Sequence, residues 1–252
     1  MTRERAASVL KKFLRAGTLA LLAAAFLWVW VCLPERLRDR QEVLAAAELP
    51  AGPFAALTFD DGPRSATTCV LLDGLAQRGV HATFFVIGEN VEGNEDLLVR
   101  MVQEGHQIGL HTYHHKSLAE LNGVDFSTEV NSLRETLTQL LNQPKFMLRP
   151  PYGMISEAGK SWAGMPIILW SVDPEDWSDQ DTQRQVDLIV SSAQDGDIIL
   201  LHDIYPSSVE TALQVVDALM AKGFHFVTVE ELFAIRGVEP EAGVIYRKLP
   251  AE

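Results

Sequence analysis

The sequence predicts an α/β domain built on a mainly parallel sheet, and three observations carry that expectation. From Phe54 onward, short apolar runs alternate with helical patterns over about 180 residues, the order that a parallel sheet with crossover helices produces. Gly79, Gly105 and Gly223 stand where helices should stop, because glycine tolerates the positive φ of a helix C-terminus. The polar clusters follow the apolar runs, and in parallel α/β folds the C-terminal strand ends carry the chemistry.

Taken in chain order, the expected strands are 54–59, 82–87, 106–110, 145–148, 166–171, 197–201 and 225–228. Helices are expected near 66–78, 94–104, 127–142, 181–193 and 207–222. Asp60-Asp61 then follows the first strand, His111 the third and Arg149 the fourth, while Asp173 ends the fifth and His202 the sixth. Five clusters on one rim can converge on one site.

The segment before the domain reads differently. Residues 16–33 contain no charge over eighteen positions, and as a helix they span roughly 27 Å, close to the hydrocarbon thickness of a bilayer. Five basic residues, Arg3, Arg5, Lys11, Lys12 and Arg15, precede the run. Three arginines follow it, diluted by Glu35 and Asp39. The positive-inside bias predicts residues 1–15 as a cytoplasmic basic segment, 16–33 as a transmembrane anchor and the remainder on the extracytoplasmic face. A cleaved signal peptide is the rival reading, disfavoured by the bulky WVWVCLPER in which the apolar stretch ends, where small residues would be needed. Residues 34–52 read as a linker, 53–236 as the domain and 237–252 as a tail.

Beyond residue 40 the chain holds thirteen Lys/Arg against thirty-one Asp/Glu, a balance of −18. Such a body argues against nucleic acid as partner and is compatible with a neutral glycan. The two cysteines, Cys32 in the apolar run and Cys69 in the body, do not suggest an internal disulfide framework.

The motifs point to metal-assisted hydrolysis. In Thr58-Phe59-Asp60-Asp61-Gly62-Pro63, adjacent carboxylates after a strand can divide roles, one holding metal and one acting as base; Asp-Gly-Pro is also ordinary turn chemistry. In His111-Thr112-Tyr113-His114-His115, His111 and His115 would share a face on a helical turn and could chelate one metal, with His114 as a competing partner. Two imidazoles and one carboxylate leave open positions for water and substrate. Arg149, in Arg149-Pro150-Pro151-Tyr152-Gly153, can pair with a carboxylate. Asp173-Pro174-Glu175-Asp176-Trp177 can orient a histidine and offer an aromatic wall. His202, at a strand end, can serve as a general acid. His81, His106 and His225 read as ordinary core histidines.

In this order TFDDGP, HTYHH, RPPYG, DPEDW and LLHD, with ATFFVIG and FVTVEEL between and after them, resemble the polysaccharide deacetylases of the NodB-homology type, carbohydrate esterase family four. The resemblance spans roughly 54–235. It implies a distorted (β/α) barrel with fewer than eight complete units. It also implies hydrolytic removal of N-acetyl, or sometimes O-acetyl, groups from sugars. By its pattern Asp61, His111 and His115 hold a divalent metal, zinc first, with cobalt, nickel or iron suiting the same ligand types. Asp60 would be the catalytic base, His202 the acid, Arg149 the partner of the base and Asp176 the residue that steers His202. Tyr152 would offer its N–H to the oxyanion, and Trp177 and Leu200 would line an acetyl pocket. Peptidoglycan or another N-acetylglucosamine polymer is the expected substrate. An O-acetylated glycan, a lipid-linked sugar and a non-catalytic carbohydrate-binding role are the alternatives.

Overall fold

The computed structural model describes residues 50–250; the expected anchor at 16–33 and most of the linker lie outside the described residues. Among the described residues, no helix is long and apolar enough to cross a membrane.

The strands are β1 (Phe54–Asp60), β2 (Thr83–Val86), β3 (Gln107–Leu110), β4 (Ile167–Ile168), β5 (Asp197–His202), β6 (His225–Val227) and β7 (Ile245–Tyr246). The helices are α1 (Ser65–Arg78), α2 (Glu95–Gln103), α3 (Gly123–Leu141), α4 (Glu157–Ala163), α5 (Thr182–Ser192), α6 (Pro206–Ala221) and α7 (Val229–Ile235). All the strand pairings between these elements are parallel. β1 is central and buried along its whole length, as its nearly unbroken apolar run predicts for a strand covered on both faces. β5 pairs along one edge of β1, while β2 and β6 divide the other edge between its two ends.

Single-residue bridges complete the circuit. Leu110 pairs with Leu148, Leu148 with Ile167, and Val172 with Ile199 of β5. Pairing therefore runs from β1 through β2, β3, Leu148, the 167–172 segment and β5 back to β1, a closed but distorted barrel. Two expected strands are corrected here. The run 145–148 contributes only the bridge at Leu148, and 166–171 is reduced to Ile167–Ile168 plus the bridge at Val172. Apolarity alone predicts a strand at both, but it cannot report how many residues find a ladder partner.

Side chains alternate across the barrel wall with period two. Phe54 and Ala56 of β1, Phe85 of β2 and Ile198 of β5 pack in one cluster with Val229, Leu232 and Phe233 of α7 and with Leu249. α7 therefore packs at the end of the barrel opposite Asp60. The sequence reading missed this helix, whose seven residues are too few for a 3.6-residue period to show. Its start is nonetheless encoded by a capping box: the Thr228 side chain accepts from the Glu231 N–H and the Glu231 side chain accepts from the Thr228 N–H. α4 and β7 were also missed, and α3 begins earlier than expected because Asn122 caps it, accepting from the N–H groups of Val124 and Asp125.

Candidate active site

The period-two rule places the polar residues of β1. Thr58 and Asp60 share the face of Phe54 and Ala56, at the opposite end of the barrel. Asp60 and His202 are register partners across β1 and β5, as are Thr58 and Leu200. The two groups expected to move protons thus stand on adjacent strand ends.

Arg149 enters this face fully buried, at 0% exposure. Its Nη1 donates to Asp60 Oδ1 at 2.7 Å and to Thr58 Oγ1 at 2.8 Å. Nε and Nη2 donate to the carbonyls of Ile168 and Leu169, each at 3.2 Å. The guanidinium lies 4.1 Å from the centre of the Phe85 ring, a cation–π contact. Gly109, the register partner of Phe85, makes room for that ring, since a Cβ there would stand 2.4 Å from Phe85 Cδ1. Asp60, only 2% exposed, is thereby a buried carboxylate with a bonded counter-charge.

Asp61, His111 and His115 converge, each offering one ligand atom, with all three atoms within 4.8 Å of one another. Asp61 Oδ1 is 3.4 Å from His111 Nε2 and 3.3 Å from His115 Nε2. Tetrahedral coordination with bonds of about 2.0–2.1 Å places ligand atoms roughly 3.4 Å apart. Asp61 Oδ1 is also buried and accepts no hydrogen bond, a costly state for a carboxylate oxygen unless a cation occupies it. His111 Nδ1 lies 2.8 Å from the Arg149 carbonyl. A carbonyl only accepts, so Nδ1 carries the proton and the Nε2 lone pair faces Asp61, the tautomer a metal ligand needs. The donor set fits a divalent cation. Burial opposes the charge on Asp61, but the positive charge that His111, His202 and His115 carry when protonated outweighs it and holds the carboxyl below its ordinary range.

The convergence of the histidines does not come from a helical turn, and that expectation is corrected. Residues 111–115 form a loop in which Thr112 and His115 adopt positive φ, 64° and 55°. The i,i+4 spacing is met by two left-handed turns of backbone. His114 leaves the site: its N–H and its Nδ1 both meet the Glu129 carboxylate, at 2.8 and 3.0 Å. Asp61, Tyr152 and Glu175 also have positive φ, so five of the six non-glycine residues in that region among the described residues belong to the motif loops. Each costs on the order of 1–3 kcal/mol and persists only where surrounding contacts over-determine it. Around Asp61 those contacts include Asn90 Nδ2 donating to the Asp61 carbonyl at 2.8 Å and the Ile87 N–H donating to the Gly62 carbonyl at 3.0 Å.

On the opposite side, Asp176 grips His202 twice. Its Oδ1 is 2.8 Å from His202 Nδ1, and its Oδ2 accepts from the His202 backbone N–H at 2.8 Å. Burial works against a charged His202, but Asp176, with Asp60 and Asp61, raises its pKa to about 9. The imidazolium is therefore complete at neutral pH and is lost as pH rises through that value. The same interactions stabilise the fold fully below the ordinary histidine pKa, and that contribution also disappears as pH rises towards 9. Asp176→Asn is expected to move the alkaline limb of the pH–rate profile to lower pH. A profile unchanged by that substitution would remove Asp176 from the role.

Tyr152 stands beside the donor set, its ring centroid 4.9 Å from that of His115; it and Trp177 are exposed, at 65% and 57%. Leu200 is buried on the interior face. Asp173 is not one of the three donors; it accepts from the Glu175 N–H, and burial, with the nearby Asp176, raises its carboxyl above the ordinary range. The sequence reading missed three groups. Thr58 carries a readable signal, since it shares period-two parity with Asp60. Asp203, in the LLHD motif, is fully buried, accepts from the Thr68 hydroxyl and has its pKa raised by burial to about 7. Glu129 sits on the apolar face of α3 with Phe126, Val130 and Leu133, a placement visible in helical periodicity.

A closed α/β barrel with an Asp–His–His donor set between a buried Asp–Arg pair and a buried Asp–His pair defines a narrow class of protein. The family model for polysaccharide deacetylases matches residues 49–163. The chain is 38% identical over 187 residues to the peptidoglycan-N-acetylmuramic acid deacetylase PdaC of Bacillus subtilis, covering 74% of this chain and 40% of PdaC. It is 36% identical over 194 residues to a peptidoglycan-N-acetylglucosamine deacetylase of Bacillus cereus, covering 73% of this chain and 70% of that protein. Its fold is similar to the family 4 acetyl xylan esterase of Clostridium thermocellum, a structure in complex with a cobalt ion, with a TM-score of 0.74 at 29% identity over 78% of this chain and 99% of that one. The chain belongs to the polysaccharide deacetylase family. It spans less than half the length of PdaC.

Proposed function

We propose that this chain is a metal-dependent hydrolase that removes N-acetyl groups from an N-acetylglucosamine-containing glycan, with peptidoglycan or another envelope glycan as the first substrate to test. The observation that carries the reading is the pairing of Asp60 with His202 across one register step, beside the Asp61, His111 and His115 donor set. A divalent cation, zinc first among those the donors suit, supplies Lewis-acid polarisation of the acyl carbonyl and of water when bound there. Asp60, oriented by Arg149, takes the proton of the attacking water. The Tyr152 N–H donates to the oxygen that gains charge. His202, oriented by Asp176, gives its proton to the leaving nitrogen. Trp177 and Leu200 shape the space for the acetyl methyl.

A strongly basic His202 suits an amine leaving group, which must be protonated to depart. An O-acetyl esterase is the second reading, supported by the likeness to the acetyl xylan esterase. The apolar run 16–33 and its basic flank support a membrane anchor with the domain on the extracytoplasmic side, where such glycans lie.

The test is a panel of N-acetylglucosamine oligomers, glycan strands and acetylated xylan, with acetate and free amine both measured on the full chain. We expect equimolar acetate and amine from the first two, abolished by a chelator and restored by zinc. Acetate without amine would replace the reading by the esterase one. No acetate from the metal-loaded chain on any member would leave a binding protein.

A further inference from the structure

The loop that carries His111 and His115 is held from two sides. On one side, the N–H groups of Gly88 and Glu89 donate to the carbonyls of Thr112 and Tyr113 at 3.0 and 2.9 Å, and the His111 N–H donates to the Val86 carbonyl at 2.9 Å. These contacts reach only as far as Tyr113. His115 lies beyond them, in the left-handed region, and is partly open to solvent.

The other side is a single residue of α3. Glu129 is 1% exposed, although a helix face shared with Phe126, Val130 and Leu133 has no ordinary use for a carboxylate. Its Oε2 accepts from the His114 N–H at 2.8 Å, and its Oε1 is 3.0 Å from His114 Nδ1 and 2.9 Å from Lys116 Nζ. The carboxylate thus grips the residue before His115 and the residue after it. It also takes up the neighbouring imidazole of His114, which spacing alone would allow to compete for the metal.

We propose that Glu129 is a positioning residue of the metal centre, holding His115 in its left-handed conformation and keeping His114 out of the ligand set. The inference rests on the metal reading of Asp61, His111 and His115. Partners behind a ligand that fix its orientation contribute about 10–100-fold to metal affinity when removed, and here the fixing acts on the backbone either side of the ligand.

The test uses the full chain, zinc titration against a competing chelator, the visible spectrum of the cobalt-loaded protein, and thermal melting. Glu129→Ala is expected to weaken zinc binding by about 10–100-fold and to change the cobalt spectrum as the geometry around His115 relaxes. Leu137→Ala, a buried truncation on the same helix away from the loop, is the stability control and is expected to lower the melting temperature with zinc affinity intact. Glu129→Gln keeps an oxygen for the His114 N–H and loses the charge that pairs with Lys116; its affinity should fall between wild type and Glu129→Ala. If Glu129→Ala does not fold, Glu129→Gln carries the comparison: weaker zinc binding than wild type supports the proposal and equal affinity overturns it. Wild-type affinity and spectrum in Glu129→Ala, or an equal loss of affinity in Leu137→Ala, also overturn it. A wild-type chain that binds neither zinc nor cobalt overturns the metal reading itself, and this inference with it.

Discussion

Asp60→Asn is expected to lower kcat by about 10²–10⁴ with metal content unchanged, the range that removal of a general base produces. The substitution keeps the size of the side chain and one oxygen to accept from Arg149, but an amide cannot take a proton from water. Asp60 Oδ2 lies 3.7 Å from His111 Nε2, and Asp60 is outside the three-donor set, so the ligands should hold their cation without its charge. The measurement is turnover alongside metal content per chain. Retained metal with normal turnover would sink the assignment of Asp60 as base. Loss of metal would make Asp60 a fourth ligand instead.

Arg149→Met is expected to have the largest effect on stability. The guanidinium is the bonded counter-charge of Asp60 and also satisfies Thr58 and the carbonyls of Ile168 and Leu169. Methionine fills part of the volume over Phe85 but leaves a buried carboxylate without its cation. Breaking a buried pair from one side costs about 3–5 kcal/mol, or roughly 6–20 °C in melting temperature for a domain of this size. The double variant Asp60→Asn, Arg149→Met should melt higher than Arg149→Met alone, because the stranded charge is gone. A loss under about 1 kcal/mol in the single variant would show that the pair is solvated.

Much of the site was legible because its chemistry is written in short local motifs. Asp60-Asp61 after an apolar run, and His202 at the end of another, needed only the rule that parallel strands present their C-terminal ends together. The resemblance of five ordered motifs then assigned expected roles. Loop geometry was not legible in the same way. Histidines four apart suggested a helical turn, yet the loop reaches the same result through positive φ at Thr112 and His115. Thr112 is β-branched and strongly disfavours that conformation in isolation. Only contacts from distant segments hold the loop, Gly88 and Glu89 at Thr112 and Tyr113 and Glu129 at His114 and Lys116, and no local propensity reports them. The weak strands failed for a related reason. Apolarity marks Phe146, Met147 and Leu148 as buried, which they are, but the number of residues that find a ladder partner depends on where the barrel closes.

The sequence by itself determined the α/β class, the order of the longer strands and helices, the acidic character of the body and the identity of the residues at the strand ends. These follow from periodicity, charge and turn chemistry, which act over a few residues. The resemblance already paired Arg149 with Asp60 and Asp176 with His202; tertiary structure alone decided that Arg149 also reaches Thr58, that Asp61 Oδ1 is buried between two imidazoles, and that Glu129 takes His114 away from them. Each of these joins residues 15 to 91 positions apart. They form only once the barrel has closed and removed the competing water, because burial is what makes a charged group depend on one particular partner.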